Sequence, residues 1–129
     1  LFVAGLGTSG TFVGVARHLL DASPRTWRAA VQPDAAFHGL EGLKHMATAI
    51  VPRIWEPGLA DEQVTVSTEE AQETVIRLAR EEGVLAGVSS GAAVAAALRV
   101  ARRTGAETVV TIICDSGERY LSEKFWEER

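Results

Sequence analysis

Uncharged apolar runs alternate along this chain with segments of helical period, and glycine-rich turns stand at the joints. Leu1 to Ala4 is such a run, closed by glycine, and reads as a buried strand. From Thr11 the period changes: Phe12, Val15, Ala16, Leu19 and Leu20 recur at helical spacing until Pro24 stops the helix. Arg28 to Gln32 predicts a second strand, ended by Pro33. Residues 34 to 60 are irregular, broken by Gly39, Gly42, Pro52, Pro57 and Gly58. Gln63 to Val66 predicts a short strand. Ser67 then opens a capping box with Glu70, in which each side chain satisfies the other residue's free N–H. The helix that follows ends at Gly83, a left-handed cap. Val84 to Val88 predicts a strand, Ala92 to Arg103 an alanine-rich helix capped by Gly105, and Thr108 to Ile113 a β-branched strand. A polar turn from Cys114 to Arg119 and a final helical segment complete the chain. Strands that are continuously apolar, not alternating, belong to a parallel sheet covered on both faces. The expected fold is therefore α/β, three layers with helices on either side of a mostly parallel sheet.

Three of the turns are rich in glycine and hydroxyls: Gly5–Thr11, Gly87–Gly91 and Cys114–Arg119. Each is expected to follow a strand, which places all three at the carboxyl edge of the sheet, where ligands bind. The first reads "GLGTSGT", with the G-x-G-x-x-G spacing of a dinucleotide turn. A helix N-terminus offers free N–H groups and partial positive charge to any phosphate. A dinucleotide also needs an acid at the end of the second strand, and Asp34 is the candidate there. Thr8, Ser9 and Thr11, however, crowd the loop with donors, and a cup of that kind favours the compact dianion of a phosphomonoester. Pyridoxal 5′-phosphate carries such a group.

Composition narrows the partners. The chain of 129 residues carries a net charge of −4 and has no basic run, which argues against nucleic acid. Its uncharged stretches are far too short to span a membrane. The lone cysteine, Cys114, excludes an internal disulfide and suits a reducing, cytoplasmic setting; it is expected to be a buried strand-end residue. His18, His38 and His45 have no metal-ligand spacing with Cys114 or each other, so no metal site is expected.

Three stretches together resemble the cysteine synthases (O-acetylserine sulfhydrylases), pyridoxal-phosphate enzymes of fold type II. "GLGTSGT" is similar to their G-T-G-G-T phosphate cup, with Ser9 in place of the middle glycine. "LAGVSSGAAVAAAL" is similar to their G-I-S-S-G segment, and "DSGERYLS" to their S-G-E-R-Y-L-S signature. The resemblance implies that Gly7, Thr8, Ser9, Gly10 and Thr11 hold the cofactor phosphate and that Ser89 meets the pyridine nitrogen, leaving Ser90 as the helix cap. It places Asp115 near the ring edge. Glu118 and Arg119 are expected to be structural, the arginine satisfying carbonyls across its turn. The implied reaction is β-replacement, making L-cysteine from O-acetylserine or O-phosphoserine and a sulfur donor such as sulfide or thiosulfate.

The family's Schiff-base lysine lies in an upstream motif. Lys44 and Lys124, the lysines present, match no such motif. Residues 1–129 are thus expected to be the carboxyl-terminal part of the large, cofactor-binding domain of a longer two-domain enzyme, inactive alone. "IICDSGERY" and the segment "GLEGLKHMATAIVPRIW" resemble the B-type enzymes. In those the latter faces the substrate entrance, which makes Gly42, Lys44 and His45 a substrate loop. The resemblance also implies a homodimer, with a serine acetyltransferase or a sulfur-carrier protein as possible partners. Cystathionine β-synthase or serine/threonine dehydratase chemistry on the same fold, a NAD- or FAD-binding oxidoreductase domain, and a regulatory module that lost its chemistry are the alternatives.

Overall fold

The computed structural model describes residues 1–127. Four parallel strands form one sheet in the order β3-β2-β1-β4: β1 Phe2–Gly5, β2 Arg28–Pro33, β3 Glu62–Val66 and β4 Val110–Thr111. Three helices accompany them: α1 Gly10–Ala22, α2 Thr68–Glu82 and α3 Val88–Thr104.

Alternate residues of each strand face opposite layers, as the pleat requires. Phe2, Ala4 and Ala30 pack with Leu6 against Phe12, Val13 and Ala16 of α1 and against Trp55 and Leu59 of the 34–60 segment. Val3, Ala29, Val31, Val64 and Val66 pack on the other face against Ala71 and Val75 of α2 and Ala92, Ala96 and Val100 of α3. The sheet is thus sandwiched between helical layers. Alanine and glycine set how closely α2 and α3 approach. A Cβ on Gly91 would overlap the Ala71 carbonyl oxygen. Arg99 of α3 reaches both carboxylate oxygens of Glu70, at 2.7 and 2.6 Å.

The long irregular segment is tied back by a buried cation. Arg28, only 6% exposed, donates to the Leu59 carbonyl at 2.8 Å and pairs with Asp61 at 3.3 Å. A buried guanidinium needs this full set of acceptors.

Several sequence expectations change here. Val84–Val88 is not a strand: Val84 and Leu85 are half-exposed, Ala86 makes a single antiparallel bridge to Ser116, and Val88 already begins α3. The apolar run belongs partly to the helix, so run length misled. Of Thr108–Ile113 only Val110 and Thr111 pair, with Phe2 and Val3 of β1, and the chain leaves the sheet after Thr111. The α2 capping box is half-formed. Ser67 Oγ accepts from the Glu70 N–H at 3.1 Å, but the Glu70 carboxylate is drawn to Arg99. Gly83 and Gly105 end their helices at φ 67° and 70°, the left-handed caps that the sequence called for. The closing segment is two 3₁₀ turns, Gly117–Tyr120 and Lys124–Trp126, and residues 128 and 129 lie outside the described residues.

Candidate active site

A cavity of about 360 Å³ opens where the three glycine- and hydroxyl-rich turns converge. Its wall includes Gly7–Thr11 at the start of α1, Ser89 in the first turn of α3, and Cys114, Asp115, Arg119 and Tyr120 after β4. Glu41, Gly42 and Leu43 close it from the irregular segment. Only the turns before α1 and after β4 follow strands; the one before α3 is brought in by its bridge to Ser116.

At α1 the backbone is strained. Ser9, the N-cap, sits at φ 69°, in the left-handed region that a residue with a Cβ avoids. Its side chain makes no capping bond, and its hydroxyl is buried without a partner. An unsatisfied buried hydroxyl in a native structure demands an explanation. The first turn carries no acidic residue, so the positive end of the helix is uncompensated. Thr8, Gly10 and Thr11 are exposed toward the same space. Gly7 is glycine for a steric reason: a Cβ would overlap the Gly42 carbonyl oxygen, where the irregular segment crosses the turn. That crossing is held by the Lys44 N–H, which donates to the Leu6 carbonyl at 2.7 Å, and by Gly42 at φ 90°.

At α3 the arrangement differs. Gly87, not Ser90, is the N-cap, and the helix starts earlier than Ala92. Ser90 is fully buried, and its Oγ accepts from the Cys114 N–H at 3.0 Å, joining α3 to the turn after β4. Ser89 lines the cavity, and its hydroxyl has no hydrogen-bond partner among the described residues. Gly87 lacks a Cβ because the Asp115 carboxylate occupies that space. Tyr120 Oη donates to Asp115 Oδ2 at 2.6 Å, and this bond, followed by burial, pushes the phenol up to about 12. The other carboxylate oxygen is buried and unpartnered. Arg119 pairs with Asp115 at 3.6 Å and not with carbonyls across its turn, which corrects the expectation for it. Cys114 is exposed at the cavity wall and not a buried strand-end residue, because β4 has already ended. Desolvation, then the Asp115 charge, holds its thiol above the ordinary range. Tyr120 is a wall residue that sequence reasoning missed as a participant, although it stands inside the quoted "DSGERYLS"; Glu41 and Leu43 are others.

Other predicted residues lie elsewhere. Lys44 Nζ donates to the Ile50 carbonyl at 3.2 Å, and His45 Nδ1 lies 2.8 Å from Thr48 Oγ1; of the substrate-loop residues, Gly42 alone lines the cavity. Asp34 is exposed at the end of β2, with its N–H on the Val66 carbonyl, and does not line the cavity. The dinucleotide reading therefore loses its ribose ligand. Among the described residues no three His, Cys, Asp or Glu side chains form a metal-binding group, and no helix is long and apolar enough to cross a membrane.

Comparison with known proteins adds an independent line. Residues 1–115 match the family described as "Pyridoxal-phosphate dependent enzyme". Cysteine synthase B of Pseudomonas aeruginosa is 39% identical over 128 residues, which is 99% of this chain and 42% of that protein. The structure of O-acetyl serine sulfhydrylase isoform 3 from Entamoeba histolytica superposes with a TM-score of 0.91 at 29% identity, over 99% of this chain and 41% of that one. The O-acetylserine dependent cystathionine beta-synthase from Helicobacter pylori gives a TM-score of 0.86 at 36% identity, over 97% and 43% of the two chains. The chain thus spans about two fifths of the length of the curated relatives it matches. With its glycine- and hydroxyl-lined cavity, its parallel sheet and this match over most of its length, the chain belongs to the pyridoxal-phosphate dependent enzymes.

Proposed function

We propose that this chain is the carboxyl-terminal part of the large domain of a two-domain cysteine synthase, and that its cavity receives pyridoxal 5′-phosphate. The observation that carries the reading is Ser9: a strained, left-handed N-cap whose buried hydroxyl lacks a partner, at a helix start free of acidic residues. Burial of an orphan hydroxyl beside an uncompensated helix end is offset when a phosphate oxygen arrives. The residues present fit the group. Gly7 lets backbone and ligand approach closely, the N–H groups of the first turn of α1 point outward for want of intrahelical acceptors, and Thr8, Ser9 and Thr11 add hydroxyls.

Bound pyridoxal phosphate would supply an electron sink for cleavage beside the substrate Cα. Each residue of this chain has a narrower task. Gly7–Thr11 hold the phosphate and so fix where the ring lies. Ser89 offers an uncommitted hydroxyl to the ring nitrogen, and Asp115 stands beside it. Leu43, whose side chain abuts Gly5 at the end of β1, forms part of the cavity wall. Gly42 carries the substrate loop to the cavity, and a role for Lys44 and His45 toward an anionic substrate would require them to leave Ile50 and Thr48. The Schiff-base lysine is contributed by a preceding segment. The reaction is then β-replacement on O-acetylserine or O-phosphoserine with sulfide or thiosulfate as donor, a reading supported by the similarity to cysteine synthase B of Pseudomonas aeruginosa. A cytoplasmic homodimer, with a serine acetyltransferase or sulfur-carrier protein as partner, extends the same reading.

Cystathionine formation is a second reading, favoured by the likeness to the Helicobacter pylori enzyme. Visible absorption of the full-length protein tests both. Bound cofactor should give a visible band that shifts on adding O-acetylserine or O-phosphoserine, and the product formed with sulfide or with homocysteine separates the two activities. A spectrum identical to that of free pyridoxal phosphate would end the proposal.

A further inference from the structure

A second cavity, of about 330 Å³, lies behind the Glu41 wall of the first, between the irregular segment, α2 and the closing 3₁₀ turns. The function above makes no use of it. Its floor is apolar and aromatic: Val88 is 4% exposed, and Tyr120 and Phe125 are each 7% exposed. Its polar lining is His38, Glu41, Gln72 and Glu123, with no lysine or arginine. Both carboxylates are uncommitted. Glu123 is the N-cap of the last turn, yet its side chain makes no capping bond. Neither it nor Glu41 has a hydrogen-bond or ion-pair partner among the described residues. The Glu41 charge is close enough to Tyr120 to favour the protonated phenol, which sets that carboxylate near the aromatic floor. The walls are held by the fold itself. The Gly39 N–H donates to Thr68 Oγ1 at 2.8 Å, tying the irregular segment to α2. On the other side the Tyr120 carbonyl accepts from the Trp126 indole and from the Glu123 N–H, both at 2.9 Å. The Leu40 N–H donates to His38 Nδ1 at 3.2 Å, so the neutral imidazole carries its proton on Nε2.

Preformed cavities of this size, with an apolar floor and a few polar groups, take small molecules. Two free carboxylates beside two aromatic rings select a cation, and aromatic faces favour an organic ammonium, whose apolar body they can also cover. A metal ion lacks its ligands here: among the described residues no three His, Cys, Asp or Glu side chains are grouped to hold one. We propose that this second cavity binds a small organic ammonium ion, its charge beside Glu41 and Glu123 and its apolar body on Tyr120 and Phe125. The site lies outside the cofactor cavity, shares only the Glu41 and Tyr120 wall with it, and does not depend on what the cofactor cavity holds.

Choline and 3,3-dimethylbutan-1-ol share a shape and differ in charge, and neither carries an amine that could react with a cofactor aldehyde. Isothermal titration calorimetry of the full-length protein with each, at about pH 8 where imidazole is uncharged, tests the site. Choline should bind saturably and about tenfold more tightly than the alcohol, the scale of a cation held against aromatic faces. Glu123→Gln should lower choline affinity about fivefold and leave the alcohol unchanged. Gln72→Glu adds a carboxylate to the lining and should tighten choline severalfold. Glu107→Gln, at an exposed acid outside the cavity, should change neither ligand. Circular dichroism of each variant checks that it has folded. If choline binds no better than the alcohol, the site is overturned. It is equally overturned if the folded Glu123→Gln and Gln72→Glu variants keep the natural ratio of the two affinities.

Discussion

Helices α1 and α3 both begin on the wall of one cavity, and both open with glycine and serine, yet their first turns are built for different work. The serine at the start of α1 is strained and buried, and its hydroxyl has no partner. Its counterpart in α3, Ser90, is equally buried but serves the fold by accepting the Cys114 N–H. The carboxylate of Asp115 lies against the α3 start, whereas the first turn of α1 contains no acidic residue. The same residue types therefore give an anion-accepting end and a structurally committed, negatively charged end. Composition of a turn does not decide its role; its unsatisfied groups and neighbouring charge do.

Variants at the two glycines should separate these ends most strongly. Gly7→Ala sets a Cβ into the Gly42 backbone carbonyl, which cannot move without lifting the segment that crosses the turn. It should cost about 3 kcal/mol by urea denaturation and abolish cofactor binding. Gly87→Ala meets side chains, Asp115 and Tyr120, that can shift. It should cost about 1–2 kcal/mol and leave phosphate-end affinity largely intact. Equal losses at both positions would break the distinction.

Hydroxyl removal sharpens it. Ser90→Ala leaves the Cys114 N–H without its acceptor and should lower stability by about 1 kcal/mol, with little effect on affinity for the cofactor. Ser9→Gly should do the reverse. Relief of left-handed strain, worth about 1 kcal/mol, is nearly cancelled by glycine's entropy in the unfolded chain. Stability then stays within about 0.5 kcal/mol, while cofactor affinity falls by about 2- to 10-fold as a donor is lost. Dialysis and denaturation on the same preparations would read both.

The smallest expected effect is at alkaline pH. Tyr120 has its pKa raised from 10 to about 12, chiefly by its hydrogen bond to Asp115. A raised acid favours the protonated phenol in the folded state, so its stabilisation is complete below pH 10 and disappears as pH rises through about 12. Denaturation midpoints should fall over that window more steeply in the natural protein than in Tyr120→Phe.

Much of this was legible in the chain before any coordinates. The apolar runs at Leu1–Ala4 and Arg28–Gln32 marked two strands of a parallel sheet, since buried strands need no alternation. Gly83 and Gly105 marked helix ends because only glycine takes left-handed φ without strain. Val84–Val88 was not legible, because an apolar run of that length suits a helix start as well as a strand. Nor was the half-formed capping box, since Arg99, distant in sequence, competes for Glu70. At the site, glycine spacing announced the α1 cup, but the strain at Ser9 and the Tyr120–Asp115 bond depend on φ angles and on contacts across turns. No motif spacing encodes these.

The central claim is that the phosphate belongs at α1 and the ring nitrogen toward α3. A crystal structure of the full-length protein with pyridoxal 5′-phosphate tests it most directly. The account predicts phosphate density within hydrogen-bonding distance of the N–H groups and hydroxyls of Thr8–Thr11. Phosphate density at the start of α3, beside Ser89, would contradict it.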